Sequence, residues 1–137
     1  MNVNSDMFGA MDIAVSGLKA YTKQMEVISS NVANARTTDA GDGQPYRRIE
    51  AIFKAEQEGI SGVEVADIVQ DMSDFQKILS SPGDPRADAN GYISMPNVDM
   101  PKELISLNLA SRAYQANAAI LKRYQAMVKS SLELLQA

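Results

Sequence analysis

The side chains available for chemistry here are carboxylates, arginines and amides, because the sequence contains neither cysteine nor histidine. Without cysteine there are no disulfides, thiolate metal sites, iron–sulfur clusters or cysteine nucleophiles. Without histidine the commonest general base and metal ligand are gone, and a Ser-His-Asp triad cannot be built. The acidic loop Asp39 to Glu50 places Glu50 at position 12 of a calcium-type loop. The pattern fails at Gly41 and Gly43, which lack side-chain oxygens, and at Gln44, where such a loop needs glycine. Asp84, Asp88 and Asn90 fit a calcium loop still less. Glu56 and Glu58 form a carboxylate pair with no sign of a pocket, and read as solvated acidic surface. Neither a Walker loop nor a GxGxxG turn occurs. Tyr46-Arg47-Arg48 is a basic–aromatic cluster of the kind that contacts RNA. Two arginines in an acidic segment suit an ion pair or subunit contact better, and in a strand they point to opposite faces. The residues thus predict no catalytic group, no metal and no cofactor.

The amides are more informative. Asn31 and Asn34 stand three apart on one helical face, near the end of a long apolar repeat. They read either as a fraying polar terminus or as amides satisfying backbone groups of a neighbouring helix in an assembly. Asn117, beside Tyr114 and Leu121, raises the same question.

These amides sit on two long periodic segments. Stepping 4,3,4,3 from Met7 gives Met11, Ala14, Leu18, Tyr21, Met25, Ile28, Val32 and Ala35, all apolar. That heptad spacing predicts a helix with a narrow buried seam, roughly 44 Å long. Ser5 or Asp6 is the expected N-cap, and the helix should stop near 35–38. Gly17 lies beside the seam, either as a tolerated weak spot or as a point of close helix approach. In the last third, Met100, Leu107, Tyr114, Leu121, Val128 and Leu135 recur every seven residues. Flanking lines run through Leu104, Ser111, Ala118, Gln125 and Leu132, and through Ala113, Ile120, Met127 and Leu134. So wide a stripe implies more than one packing neighbour. Asp99 is the expected N-cap, with Pro101 and Glu103 in the first turn.

Between the helices the period falls to two. Residues 46–54 and 62–69 read as strands, with Gly59 to Gly62 as their turn. Asp74 to Leu79 is a short extended piece, and Ser80 to Pro85 a rigid turn. Asn90-Gly91 suits a type I′ turn before the strand 92–95. The expected architecture is mainly α. Long N- and C-terminal helices (1–36 and 101–137) pack antiparallel in a coiled-coil-like pair, with a small β-hairpin-rich insert (37–100) between them, all in one domain.

Charge follows the same division. Residues 37–100 hold five basic and twelve acidic side chains, net −7, whereas 101–137 hold five and two, net +3. The overall charge of −4 disfavours a nucleic-acid partner. No apolar run approaches the roughly 18 residues of a membrane span, so no membrane insertion is expected. The first basic residue is Lys19, so no secretory signal is expected either. Two helices this long cannot be covered by so small an insert. They must pair with each other, with other copies or with other proteins.

At three places the sequence resembles a known family. Met25 to Ala35 (MEVISSNVANA) is similar to the N-terminal signature of bacterial flagellar rod and hook axial proteins, and Ala110 to Asn117 (ASRAYQAN) to their C-terminal one. Gly83 to Tyr92, followed by Met95-Pro96-Asn97-Val98, resembles the short-insert members in particular. Arg36 departs from the pattern, which often has Asp or Asn there. The resemblance covers nearly the whole chain. It implies a structural subunit of the proximal rod of the flagellar basal body, stacked helically into a hollow shaft that transmits torque and encloses the export channel. It implies location outside the cytoplasmic membrane after type III export without cleavage. The implied partners are other proximal rod proteins, the rod–export-gate adaptor, the distal rod protein and copies of itself. The expected assembly residues are Met11, Leu18, Met25, Ile28, Asn31, Val32, Asn34, Leu107, Tyr114, Asn117, Leu121 and Val128. The alternative from the pattern alone is a soluble coiled-coil adaptor forming a discrete oligomer.

The narrow seams, and the low helicity of Ser29, Ser30, Asn31, Asn34 and Asn117, predict that the two terminal helices are largely unfolded in the free monomer and fold on assembly. Amide hydrogen exchange on the free monomer should show protection confined to residues 46–95. Slow exchange across 11–32 and 107–132 would refute this.

Overall fold

The computed structural model describes residues 3–55 and 62–136, with side chains described for 9–55 and 62–134. Two long helices enclose two short antiparallel strand pairs. Helix α1 spans Val3–Ala33 and α2 spans Met100–Gln136. Strands β1 (Ile49–Ala55) and β2 (Val63–Gln70) pair antiparallel, as do β3 (Gln76–Leu79) and β4 (Tyr92–Met95). The expected turn at Gly59, the pair Glu56 and Glu58, and the side chains of Met7 and Leu135 lie outside the described residues.

The ends of the helices follow their capping chemistry. Asp99 caps α2 as expected: its Oδ1 accepts the Lys102 N–H at 3.2 Å and its carbonyl the Glu103 N–H at 2.9 Å. Helix α1 starts earlier than the caps suggested, so Ser5 and Asp6 lie inside it. It ends at Ala33, where Asn34 turns the chain: the Asn34 amide donates to the Ser30 carbonyl at 2.9 Å, and Thr37 returns to Asn34.

The helices pack antiparallel. Gly17 meets Asn117 and Asn31 meets Glu103, so rising fourteen residues along α1 (17 to 31) descends fourteen along α2 (117 to 103). At Gly17 the approach is close, because a Cβ there would lie 2.6 Å from Asn117 Nδ2. The glycine is therefore a contact point and not a tolerated flaw. The buried line of α1 also differs from the expected seam. Ala14, Gly17, Ala20, Val27, Ile28 and Asn31 are buried, while Met11, Leu18, Met25 and Val32 are only half-buried. The stripe is rotated by roughly a quarter turn, because α1 packs against the β1–β2 pair as well as against α2.

On α2 the inward line is Glu103, Ala110, Asn117 and Tyr124, with Leu107, Leu121 and Val128 half-buried beside it and Tyr114 at its edge. Leu104, Ile120, Met127, Leu132 and Leu134 of the flanking lines are exposed instead. Small residues at Ala14, Gly17 and Ala110 let the helices approach, so this seam buries little apolar bulk.

In the insert, β1 and β2 run in register from Ile49↔Gln70 to Ala55↔Val63, with a bulge at Ile52/Phe53 that leaves Ala66 unpaired. Residues 46–48, expected in the first strand, precede it. Strands β3 and β4 are joined by a twelve-residue loop (80–91) and not by a two-residue turn. Of the pair Asn90-Gly91 only Gly91 is left-handed (φ 81°), and a type I′ turn would need Asn90 to be so too. The Asp88 carboxylate organises this corner by accepting the N–H groups of Asn90 and Tyr92 at 2.8 and 3.0 Å. Farther back in the loop, the Arg86 guanidinium and backbone N–H hold the Asp84 carboxyl well below the usual carboxylate range.

The close approach at Gly17 makes a test. Gly17→Leu should cost about 1–3 kcal/mol by overpacking, read as a lowered thermal midpoint. Gly17→Ala should cost less, since Asn117 can shift and alanine restores about 1 kcal/mol of helix propensity. An unchanged melt for Gly17→Leu would mean the helices do not meet there.

Candidate functional site

Among the described residues no set of three or more metal-ligating side chains comes together. The Asp39 and Asp42 carboxylates, once candidates for calcium, accept backbone N–H groups of Gly41, Gly43 and Gln44. The organised chemistry lies instead where the end of α1, the entry to β1 and the start of α2 converge.

Asn31 is 0% exposed, and all four hydrogen-bonding sites of its amide are filled. Oδ1 accepts the Ile49 N–H at 2.9 Å and the Tyr46 hydroxyl at 3.0 Å. Nδ2 donates to the Ile49 carbonyl at 2.8 Å and to Glu103 Oε2 at 3.3 Å. The side chain thus pairs with Ile49 as a neighbouring strand would. Glu103, also 0% exposed, accepts from Arg48 Nε at 2.6 Å through its other oxygen. The Arg48 guanidinium reaches Glu50 at 3.2 Å and Asp71 at 3.5 Å. Among the described residues no buried side-chain nitrogen or oxygen lacks a partner.

A second amide ties the insert to the root of α2. Asn97 Oδ1 accepts the Arg48 N–H at 2.8 Å, and Nδ2 donates to the Asp71 carbonyl and the Ser73 hydroxyl, each at 2.9 Å. Arg47 donates to the carbonyls of Asp71 and Ser73 and lies over the Phe75 ring, 4.2 Å from its centre. Arg47 and Arg48 precede the strand, so its alternation does not apply to them and both reach Asp71, and Arg48 makes the expected ion pair.

Asn31 therefore serves strand β1 of its own chain rather than a neighbouring helix of an assembly, and Asn34 caps its own helix. Asn117 lies between the two helices, against Gly17. Ile28 is buried, and Met11, Leu18, Met25, Val32, Leu107, Leu121 and Val128 are half-buried along the helix pair. Tyr114 sits at its edge, 36% exposed. The sequence reading missed Glu103 as a core residue, having taken it for a dipole complement on the surface. It also missed Asn97 and Tyr46. The one available signal was Glu103's place in the line Glu103, Ala110, Asn117, Tyr124, seven apart.

Comparison with known proteins agrees with this architecture. Residues 11–40 match the family described as "Flagella basal body rod protein", and residues 89–134 the "Flagellar basal body rod FlgEFG protein C-terminal" family. The class is that of flagellar axial proteins, whose two matched segments here include most of α1 and α2. The flagellar basal-body rod protein FlgC of Salmonella typhimurium is 39% identical over 133 residues, covering 95% of this chain and 98% of its own. The FlgC proteins of Yersinia enterocolitica (40% over 133 residues) and Bacillus subtilis (34% over 146) cover 95% and 93% of the chain, and 98% and 97% of their own lengths. The chain belongs to the FlgC family of flagellar basal-body rod proteins, as a structural subunit of the rod.

The junction generates a stability prediction. Asn31→Ala strands the Ile49 backbone groups and Tyr46, and should cost about 3 kcal/mol. Asn31→Asp keeps the shape but sets a second carboxylate against Glu103 and faces the Ile49 carbonyl without a donor. It should cost at least as much at pH 7, measured by denaturant unfolding. If Asn31→Asp were as stable as the parent, the hydrogen-bond account would be wrong.

Proposed function

We propose that this subunit belongs to the proximal part of the rod, where copies stack helically with other rod proteins into a hollow drive shaft. In this reading α1 and α2 form a coiled-coil-like pair in the inner tube, and the insert faces outward. The assembly transmits torque and encloses the export channel. Its role is mechanical, without catalysis. The neighbours are the other proximal rod proteins, the rod–export-gate adaptor and the distal rod protein. Export proceeds through the flagellar type III apparatus, without cleavage.

One observation carries the reading. Helix α2 extends 37 residues, roughly 55 Å, and is covered on one face only. Ile105, Leu109, Ile120 and Met127 stand exposed on the other side. A helix with apolar residues on its solvent side is completed by neighbours. Among the described residues no helix is long and apolar enough to cross a membrane. Asn34, Asn117 and the half-buried residues from Met11 to Val128 are assigned to the helix pair that the assembly would bury further, with Asn31 and Ile28 holding that pair together from inside.

Leu121 tests the assignment. Leu121→Asp buries a charge in the seam and should abolish motility and remove the chain from isolated basal bodies. Sedimentation of the unsubstituted chain at several concentrations should give a monomer that associates open-endedly. Normal motility of Leu121→Asp, or a stable dimer at every concentration, would overturn it, the latter in favour of a coiled-coil adaptor.

A further inference from the structure

The free faces on the two sides of α1 are complementary to each other. Along α2 the outward stripe repeats every eleven residues: Ile105, Ala116 and Met127; Leu109 and Ile120; Arg112 and Arg123. Eleven residues make three turns of about 3.67, so these side chains keep to one face over the whole helix. Ile105 and Leu109 are 63% and 62% exposed. Among the described residues no carboxylate lies within 4.0 Å of Arg112 or Arg123. The stripe is apolar, with two unpaired arginines roughly 16 Å apart.

The outward face of β1–β2 is net acidic, since its one lysine, Lys54, is paired with Glu64 at 2.8 Å. Ile49, Ala51 and Phe53 on β1 and Val63 and Val65 on β2 are partly covered, so the alternation turns Glu50 and Ile52 outward. Across the pair Glu50 faces Val69 and Ile52 faces Asp67. All four are exposed and form a checkerboard of two apolar and two acidic side chains. Asp67 has no cationic partner among the described residues, and Glu50 is 57% exposed despite its contact with Arg48. Helix α1 packs against both β1–β2 and α2, so these two free faces look away from it in different directions.

We propose that the outward face of α2 docks on the outward face of β1–β2 of a second copy of this chain, with Arg112 meeting the neighbouring carboxylates of Glu50 and Asp67 around apolar contacts. This rests on the rod-subunit reading and names the contact that would repeat. Two α2 faces would oppose arginine with arginine, and two β1–β2 faces carboxylate with carboxylate. Only the unlike pairing is favourable. A contact between two different patches of one chain leaves a free patch of each kind, so it propagates into a ring or a helix instead of closing as a dimer.

The chain has no cysteine, so introduced pairs report cleanly. Full-length Ile120→Cys/Val69→Cys replaces the native chain in flagellated cells, and isolated basal bodies are oxidised. A second pair, Leu109→Cys/Ile52→Cys, guards against loss of assembly by either substitution. At least one pair should give a disulfide ladder at multiples of the subunit mass. Each single-cysteine chain alone should give none, and two single-cysteine chains together only a dimer. Arg112→Glu should cut the ladder by about fivefold, the worth of about 1 kcal/mol, and Asp67→Arg should restore it. Absence of any ladder from basal bodies that contain the chain overturns the proposal while leaving the rod reading intact. So does a homodimer from Ile120→Cys alone, or a cross-link only to a different rod protein. Absence of the unsubstituted chain from basal bodies overturns the rod reading, and the proposal with it.

Discussion

The fold depends on one amide. Asn31 stands near the end of a long helix that packs against the β1–β2 pair of the insert. Its side chain offers one acceptor atom and one donor group, each able to make two bonds, and all four are used: two to the backbone of Ile49, one to Tyr46, one to Glu103. Those partners come from the turn after α1, the first residue of β1 and the start of α2. A buried polar group is costly unless satisfied, and a fully satisfied one specifies a single arrangement. The apolar contacts along the seam are compatible with many sliding registers of two helices. This amide is compatible with one, because Glu103 must be opposite it.

The ion pair of Arg48 and Glu103 extends the constraint into the insert. Arg48 precedes β1, and its backbone N–H is held by Asn97, which in turn holds Asp71 and Ser73. The two small strand pairs have too little core to stabilise themselves. They are tied by polar bonds to the convergent ends of the helices. Each motif that carried the family resemblance contributes one asparagine to this framework. Asn31 comes from the first, Asn117 from the C-terminal one, and Asn97 from the Met95 to Val98 stretch. Asn117 occupies the space that Gly17 leaves free between the helices.

A subunit built this way has a firm interior junction and incompletely covered outer faces. Within the chain, carboxylates meet arginine or backbone N–H groups at Asp39, Asp71, Asp84, Asp88 and Glu103. On α2 the arginines of the outward face have no carboxylate within 4.0 Å among the described residues. That division suits a building block, whose interior must be specified by the chain and whose surface is completed by neighbours.

Composition, period and charge determined a great deal unaided. The missing cysteine and histidine excluded most chemistry. Heptad spacing located both helices, with Asp99 capping the second. Alternation located four short strands. These are local properties, set by backbone geometry over a few residues, and so they can be read along a chain. Which face of each helix is buried could not be read that way. The apolar line Met11, Leu18, Met25, Val32 lies at the edge of the interface because α1 serves two neighbours, and burial is decided by where both lie. Glu103 looked like a surface charge because its partners, Arg48 and Asn31, are 55 and 72 residues away. Only the tertiary structure brings them within hydrogen-bonding distance, and a carboxylate becomes a core residue when, and only when, such partners surround it.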